Sequence, residues 1–186
     1  NIKCSNLRRY TNKMKIIITG GAGFIGSHLV EFLIKKGHSV IVIDNLSTGN
    51  IDNIKNFRKK IRFIRADISK KGKWEKEFKN VHAVYHIAAL ADIVPSIENP
   101  EKYFNSNVVG TKNILQACIK NRIKKIIYSA SSSCYGIPIS YPTKETEKID
   151  CRYPYALTKW IGEKLLLHYG KVYNLNVISL RLFNVY

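Results

Sequence analysis

The feature that most constrains this chain is a glycine-rich turn placed directly after its first apolar run. Residues 15–19 read KIIIT, and they lead into GGAGFIGSHLVEFL. Gly21, Gly23 and Gly26 fit the pattern G-x-G-x-x-G, and Gly20 supplies a second register. Glycine tolerates the positive φ of a tight turn, and without a Cβ it lets a pyrophosphate approach the N–H groups that open a helix. Between a strand and a helix this pattern predicts a dinucleotide site; the alternative is a turn that only packs the helix on the strand.

Strand-like and helix-like segments alternate along the chain. The predicted strands are 15–19, 39–44, 61–66, 83–87, 125–129 and 177–182, and the predicted helices are 24–36, 100–120 and 155–172. The strands are short and nearly all apolar, which is typical of strands covered on both faces. Because alternating strands and helices form parallel sheets with helices on both sides, the sequence predicts an α/β fold with a doubly wound parallel sheet.

Two aspartates follow predicted strands. Asp44 ends the second strand, 18 residues after Gly26, near the spacing of a carboxylate that binds the adenosine ribose. A carboxylate accepts from both ribose hydroxyls and repels a 2′-phosphate, which favours NAD over NADP. The alternative is that Asp44 caps the next helix. Asp67, after the third strand, is a weaker candidate for the adenine side, with a helix N-cap as its alternative.

A tyrosine and a lysine stand one helical turn apart in RYPYALTKW, residues 152–160. Tyr155 and Lys159 are spaced i, i+4, so a helix projects them from one face. A phenol has a pKa of about 10, and a neighbouring ammonium lowers that pKa. The pair is therefore able to remove a proton from an alcohol while hydride leaves its carbon. An exposed pair on a helix surface is the alternative.

A run of hydroxyls ends the fifth predicted strand. Ligands bind at the carboxyl ends of the strands in open parallel sheets, and YSASSSCYG lies there. Ser131 is the first candidate to hold the alcohol oxygen. Ser132 and Ser133 are its neighbours, and strand alternation prevents all three side chains from pointing the same way.

Charge and cysteine content bear on partners and location. The 186 residues include 31 basic and 13 acidic ones, a formal net charge of +18, and 23 of the basic residues are Lys. Because the lysines are dispersed and no Arg-rich arm occurs, we expect no nucleic-acid partner. No apolar run approaches the roughly 20 residues of a membrane span, so no membrane partner is expected. The scattered cysteines predict a cytoplasmic protein with reduced thiols and no metal site; they are Cys4, Cys118, Cys134 and Cys151.

Several segments together resemble the extended short-chain dehydrogenase/reductase family: TGGAGFIGSHLV, DNLSTG, HIAA, NVVGT, SASSSCYG, YALTK and RLFNVY. Within that family they are most similar to nucleotide-sugar 4-epimerases of the UDP-glucose or UDP-N-acetylglucosamine type. The resemblance covers Met14 to Tyr186. It implies a Rossmann-type domain with tightly held NAD, a UDP-sugar substrate and a homodimer in the full-length protein.

The resemblance also implies roles for individual residues. Tyr155 and Lys159 match the family's Y-x-x-x-K, and Ser131 stands where the family places its catalytic Ser or Thr. The residues predicted to bind NAD are Gly20, Gly23, Phe24, Ile25, Gly26, Asp44, Asn45, Asp67, Ile68, Ala88, Ala89, Asn107, Tyr155 and Lys159. The residues predicted to contact the substrate are Ser131, Ser132, Ser133, Tyr155 and Asn184.

The reaction that the resemblance implies is epimerisation through a transient 4-keto sugar. Dehydratases and decarboxylases of the family carry acids after the catalytic hydroxyl residue, where this chain has Ser132 and Ser133. Both reactions are therefore disfavoured, and a keto-sugar reductase remains an alternative. Ala91 replaces a Lys of some relatives near the cofactor phosphate, so NAD retention is expected to depend on other contacts. A different class of function is an NAD-binding or RNA-associated protein without turnover.

The resemblance also predicts a domain organisation. Residues 1–13 are expected to be a basic extension outside the fold, and residues 14–186 an NAD-binding domain with the catalytic Ser, Tyr and Lys. Relatives continue into a smaller C-terminal domain that closes over the substrate. The chain is thus expected to stop before most of that domain, which leaves the sugar and the nucleobase undefined.

Overall fold

The computed structural model describes residues 13–186, so Cys4 and nearly all of the predicted basic extension lie outside the described residues. Six parallel strands form one sheet in the order β3-β2-β1-β4-β5-β6. They are β1 (Lys15–Thr19), β2 (Ser39–Asp44), β3 (Ile61–Arg65), β4 (Ala83–His86), β5 (Lys125–Ser131) and β6 (Asn176–Leu182). The predicted doubly wound parallel sheet is confirmed, and no predicted strand boundary is wrong by more than two residues.

Five α-helices connect and flank the strands. They are α1 (Phe24–Lys35), α2 (Val94–Glu98), α3 (Pro100–Phe104), α4 (Gly110–Lys120) and α5 (Pro154–Tyr173). α1 ends at Lys35, one residue before the predicted end at 36. Gly37 follows the helix with a φ of +83°, which suits glycine, and its N–H donates to the carbonyl of Ile34. The single helix predicted over 100–120 is instead α3 and α4 joined by a π-helical segment, Asn105–Val109. Within residues 13–186, no helix combines the length and the apolar character needed to cross a lipid bilayer.

Side chains of the strands alternate between two cores, one on each face of the sheet. Ile17 of β1 packs with α4 and α5 on one face, whereas Ile16 and Ile18 pack with α1 on the other. This alternation follows from the two-residue period of a strand. With both faces covered, the two sides of the sheet are buried and function is left to its edges and ends.

The strand order reverses between β1 and β4, which lie side by side in the middle of the sheet. From β1 the chain runs outward to β2 and β3, and it then crosses back to β4, β5 and β6. Connections leaving the carboxyl ends of β1 and β4 therefore diverge to opposite sides, and a crevice opens between them. This is where open α/β sheets bind ligands.

The edge strand β6 is tied to α5 by a largely buried ion pair. The guanidinium of Arg181 donates to both carboxylate oxygens of Glu163, at 2.7 and 3.1 Å. It also donates to the hydroxyl of Tyr135 and the carbonyl of Glu145. Hydrogen bonding to Glu163 raises the pKa of Arg181 above its usual range. On the outer side of the same strand, Ile178 and Leu180 are about half exposed.

We expect Arg181→Met to lower the free energy of unfolding by about 3 kcal/mol, because it leaves the buried carboxylate of Glu163 without its partner. Urea denaturation followed by circular dichroism measures this change. Arg62→Met is the matched control: Arg62 forms a similar bidentate pair with Glu77, but its side chain is 62% exposed, so its loss should matter far less. Equal losses of unfolding free energy in the two variants would show that the buried pair stabilises the fold no more than the exposed pair.

Candidate functional site

The glycine turn between β1 and α1 is shaped by close backbone approach. Gly20 adopts a φ of +72°, and a Cβ there would lie 2.6 Å from the backbone nitrogen of Ala88. A Cβ on Gly26 would overlap the carbonyl oxygen of Gly20. Gly23 is the N-cap of α1, whose first turn contains no acidic residue. The helix therefore presents its first N–H groups and the positive end of its dipole without an acidic side chain of its own first turn to occupy them.

A cleft of about 260 Å³ opens in front of this turn. Eleven of the residues predicted to bind the cofactor line it: Gly20, Gly23, Phe24, Ile25, Gly26, Asp44, Asn45, Asp67, Ile68, Ala88 and Ala89. Ala91, expected near the cofactor phosphate, lines the cleft as well. The other lining residues were not predicted from the sequence; they are Ile43, Ser47, Thr48, Gly49, Ala66, Ile87 and Ser106. Residues 47–49 belong to the segment DNLSTG, which carries part of the family resemblance, and so could have been predicted to line the cleft. Gly49 packs closely against Ala22 of the glycine turn, so this loop forms a wall of the cleft.

Asp44 lies buried at the end of β2 and is held by two backbone donors. One carboxylate oxygen accepts from the N–H of Ala22 at 2.9 Å, and the other accepts from the N–H of Leu46 at 2.8 Å. The carboxylate is therefore fixed beside the glycine turn, with lone pairs left over for a ligand. It does not cap the next helical segment, Ile51–Lys60, whose N-cap is Asn50.

Asp67 also lines the cleft, at the end of β3. Its Oδ1 accepts from the N–H and from the hydroxyl of Ser69, at 2.9 and 2.7 Å. These bonds close a local turn and no helix begins there, so the N-cap alternative for Asp67 was wrong. The structure thus places both predicted aspartates at neighbouring strand ends on the same side of the glycine turn.

A second cavity, of about 680 Å³, adjoins the first and shares Ile25 and Ala91 with it. The residues predicted to contact the substrate all line this cavity: Ser131, Ser132, Ser133, Tyr155 and Asn184. Ser131 ends β5, and its hydroxyl accepts from the N–H of Ser133 and donates to the hydroxyl of Ser133. The hydroxyls of 131 and 133 therefore form one connected pair at the carboxyl end of the strand.

Tyr155 and Lys159 lie on the first turns of α5 but in different environments. Tyr155 is half-buried and meets the ring of Tyr103 edge to face, with centroids 6.4 Å apart. Lys159 is only 3% exposed and lines neither cavity. Burial lowers the pKa of Lys159 to about 7. The alternative of an exposed surface pair does not hold, since the ammonium is inside the protein.

Near Lys159 lies His86, a fully buried histidine that was not among the predicted site residues. The ring nitrogens of His86 contact the hydroxyls of Thr19 and Thr111, at 2.7 and 2.9 Å. Burial, with a smaller contribution from the charge of Lys159, lowers the pKa of His86 to about 3. His86 is therefore neutral at physiological pH and bridges β1 to α4.

The structure does not place the carboxamide of Asn107 in the cofactor cleft. Asn107 is buried, its Oδ1 accepts from the N–H of Leu90, and its Nδ2 donates to the carbonyl of Leu90 and to the hydroxyl of Thr158. All these partners are protein groups, so the side chain fixes the loop after β4 to α5. The sequence gave no sign of these contacts, because Leu90 and Thr158 are far from Asn107 along the chain.

Titratable groups elsewhere in the described part of the chain form no metal site. Among residues 13–186, no three His, Cys, Asp or Glu side chains lie close enough together to hold a metal ion.

Comparison with known proteins gives a consistent result. Residues 16–186 match the model of the NAD dependent epimerase/dehydratase family. A putative UDP-glucose 4-epimerase of Methanocaldococcus jannaschii is 43% identical over 173 residues, which are 92% of this chain and 56% of that protein.

Solved structures give the same picture. The UDP-N-acetylglucosamine 4-epimerase of Methanobrevibacter ruminantium, in complex with UDP-N-acetylmuramic acid, superposes with a TM-score of 0.89 at 37% identity, covering 94% of this chain and 56% of its own. The UDP-glucose 4-epimerase of Brucella ovis in complex with NAD gives 0.85 at 36% identity, covering 92% and 52%. The chain thus spans about half the length of these proteins.

We expect Gly26→Ala to weaken NAD binding by about tenfold or more, because the new Cβ forces the carbonyl of Gly20 and the whole turn to move. Titration calorimetry with NAD measures the loss. Gly37→Ala is the matched control: it is also strained, at positive φ, but its Cβ points into open space outside the cleft. Both variants should be less stable, and only Gly26→Ala should lose affinity.

We expect His86 to make the fold sensitive to acid. Its pKa is about 3 in the folded state against an ordinary 6.5, so between these values the unfolded chain binds a proton that the folded chain does not. Stability should therefore fall by up to about 1.4 kcal/mol for each pH unit below 6.5. Urea titrations at pH 6.5 and 5.5 measure this slope. His86→Gln should flatten it, whereas His168→Gln, at an exposed histidine, should retain it; equal slopes in all three proteins would refute the assignment.

Proposed function

Because this chain belongs to the NAD dependent epimerase/dehydratase family, we propose that it is the NAD-binding and catalytic part of a nucleotide-sugar 4-epimerase. The observation that carries the proposal is the junction of the two cavities. The glycine turn and Asp44 line the first cavity, and Ser131 and Tyr155 line the second. The two cavities meet at Ile25 and Ala91, so a cofactor in one would reach a substrate in the other.

The residues of the first cleft fit NAD. The glycine turn leaves no room for a Cβ at Gly20 or Gly26, which suits close approach of a pyrophosphate. The fixed carboxylate of Asp44 suits the two ribose hydroxyls and would repel the 2′-phosphate of NADP. Asp67 and Asn45 would face the adenosine side, and the loop of Ala88 and Ala89 would face the middle of the cofactor.

In this proposal the chain's own side chains move and hold the proton of the sugar 4-hydroxyl. When bound, NAD supplies the acceptor that takes hydride from the sugar C4 and gives it back. Tyr155 takes the proton from the 4-hydroxyl and later returns it, with a 4-keto sugar between the two steps. The ammonium of Lys159 favours the phenolate of Tyr155. The hydroxyl of Ser131 would turn from Ser133 to donate to the reacting oxygen and hold it in place.

The lining of the second cavity favours epimerisation over other reactions of the family. Elimination of water and decarboxylation need an acid beside the catalytic hydroxyl, and Ser132 and Ser133 are not acids at any accessible pH. A keto-sugar reductase is the second candidate, because the same Ser, Tyr and Lys suffice for hydride transfer. That enzyme would consume NADH stoichiometrically, whereas an epimerase regenerates its NAD.

Substrate, domain organisation and assembly belong to the same proposal. The named relatives act on UDP-glucose or UDP-N-acetylglucosamine, and we propose a UDP-sugar for the whole protein. Residues 14–186 would be its NAD-binding domain, with the remaining sugar contacts from a C-terminal domain. Homodimer formation would use the apolar groove of about 640 Å³ between α3 and α5, which is lined by Phe104, Tyr153 and Leu157 among others.

We expect Tyr155→Phe to reduce interconversion of UDP-glucose and UDP-galactose by at least about a hundredfold, because the general acid–base is lost. NAD affinity should remain within about twofold, since the glycine turn and Asp44 are untouched. Coupled assays and NAD titration on the longest protein that the gene encodes measure both quantities. Both glucose and N-acetylglucosamine forms of the substrate are to be assayed.

Tyr173→Phe is the matched control for this experiment. Tyr173 ends α5, is about half exposed, and lines neither cavity of the site nor the outer groove. The activity of this variant should stay at the wild-type level. An active Tyr155→Phe protein would refute the catalytic assignment. Stoichiometric NADH consumption would favour the reductase instead.

A further inference from the structure

The ammonium of Lys159 is buried without a carboxylate to balance its charge. Among the ion pairs between residues 13–186, none involves Lys159. The nearest acid along α5, Glu163, is engaged by Arg181. Taking an ammonium out of water is costly, so Lys159 stays charged only to the extent that another group favours the charged form.

The aromatic ring of Tyr128 faces the Lys159 ammonium in place of a carboxylate. The Nζ of Lys159 stands 4.4 Å from the ring centroid of Tyr128 on β5. The face of an aromatic ring is negative, and it attracts a cation most strongly where water is excluded. Water is largely excluded from this contact, since Tyr128 and Lys159 are only 1% and 3% exposed.

The position of the Tyr128 ring is fixed by its surroundings. Its hydroxyl donates to the backbone carbonyl of Lys159 at 3.3 Å. Gly162, one turn further along α5, leaves the space that this hydroxyl occupies, because a Cβ there would overlap it. The ring also lies against that of His86, with centroids 5.5 Å apart. The phenol is thus held from both sides, and its face stays under the ammonium.

We infer that Tyr128 is a positioning residue. The negative face of its ring holds the Lys159 ammonium in place and favours the charged form of that group. Only the role of the ammonium, which is to stabilise negative charge on the oxygen of Tyr155, rests on the proposed function. The geometry itself involves no cofactor and no sugar.

The other titratable groups around Lys159 do not explain its charge. His86 on β4 is neutral, with both ring nitrogens engaged by threonines. Burial raises the pKa of the Tyr128 phenol above its usual range, so it is neutral as well. On α5, Glu163 is paired with Arg181, and Tyr155 is the group that Lys159 serves. Tyr103 on α3 faces Tyr155, and burial raises its pKa.

The consequence concerns protonation near neutral pH. Burial already lowers the pKa of Lys159 to about 7, which puts the ammonium at the margin of being charged. Removing the negative ring face should lower this pKa further, and the ammonium would then be lost at a lower pH. Such a loss would reduce catalysis at neutral pH even though Lys159 itself were intact.

The test reverses the charge on the ring face while a planar six-membered ring remains at the same position. Position 128 is replaced by phenylalanine and, through nonsense suppression, by pentafluorophenylalanine, whose ring face is positive. The protein is labelled with ¹³C at lysine Cε, and the Lys159 resonance is identified by its loss in Lys159→Arg. Its titration is followed by NMR between pH 5 and 9 without NAD or sugar, so failure of the proposed function cannot affect the result.

We expect Tyr128→Phe to titrate nearly as the wild type does and the pentafluorophenylalanine protein to titrate about one pH unit lower. Equal midpoints in these two proteins would overturn the inference. A shift of the same size in Tyr128→Phe would assign the effect to the hydroxyl and would also overturn it. Thermal unfolding of both proteins is measured alongside, and similar melting temperatures exclude misfolding as the source of a difference in titration.

Discussion

The close approach of the turn after β1 to the segment after β4 is the constraint on which the rest of the structure depends. Gly20 lies so near the backbone of Ala88 that no side chain fits between them. This contact forms at the point where the strand order reverses, so it sets the floor of the crevice. Asp44 and Asp67 reach that crevice only because β2 and β3 pair in register beside β1.

On the side of the crevice near Ser131 and Tyr155, two titratable groups lie within the hydrophobic core. Lys159 and His86 are both buried between the sheet and its helices, where charge is unfavourable. The two groups meet this cost differently. His86 is neutral and bridges two threonines, whereas the ammonium of Lys159 lies over the face of the Tyr128 ring. In α5, Tyr155 and Lys159 occupy the first two turns, and Glu163 in the middle of the helix binds Arg181 of β6.

The sequence predicted the parts of this arrangement that depend on local patterns. β1 and β2 have the predicted bounds because β-branched runs and flanking turns mark them sharply. The cofactor cleft was predictable because glycine spacing and strand-end aspartates are local signals. β5 is two residues longer than predicted, since Ser131 pairs with Leu182 of a strand about 50 residues away. The clamp of Asn107 was missed for the same reason, because its partners Leu90 and Thr158 are distant in sequence. The role of Tyr128 is equally invisible without the position of Lys159.

The open flank of β6 has a practical consequence for handling the molecule. In the described part of the chain this strand pairs only with β5, and its free side offers a row of unsatisfied backbone groups. Ile178 and Leu180 project beside that row, and Phe183 follows directly after it. Flat apolar strand borders of this kind recruit other strands. Concentrated solutions of the isolated polypeptide should therefore build up intermolecular sheets along this border, and charged replacements at 178 and 180 would be the natural remedy.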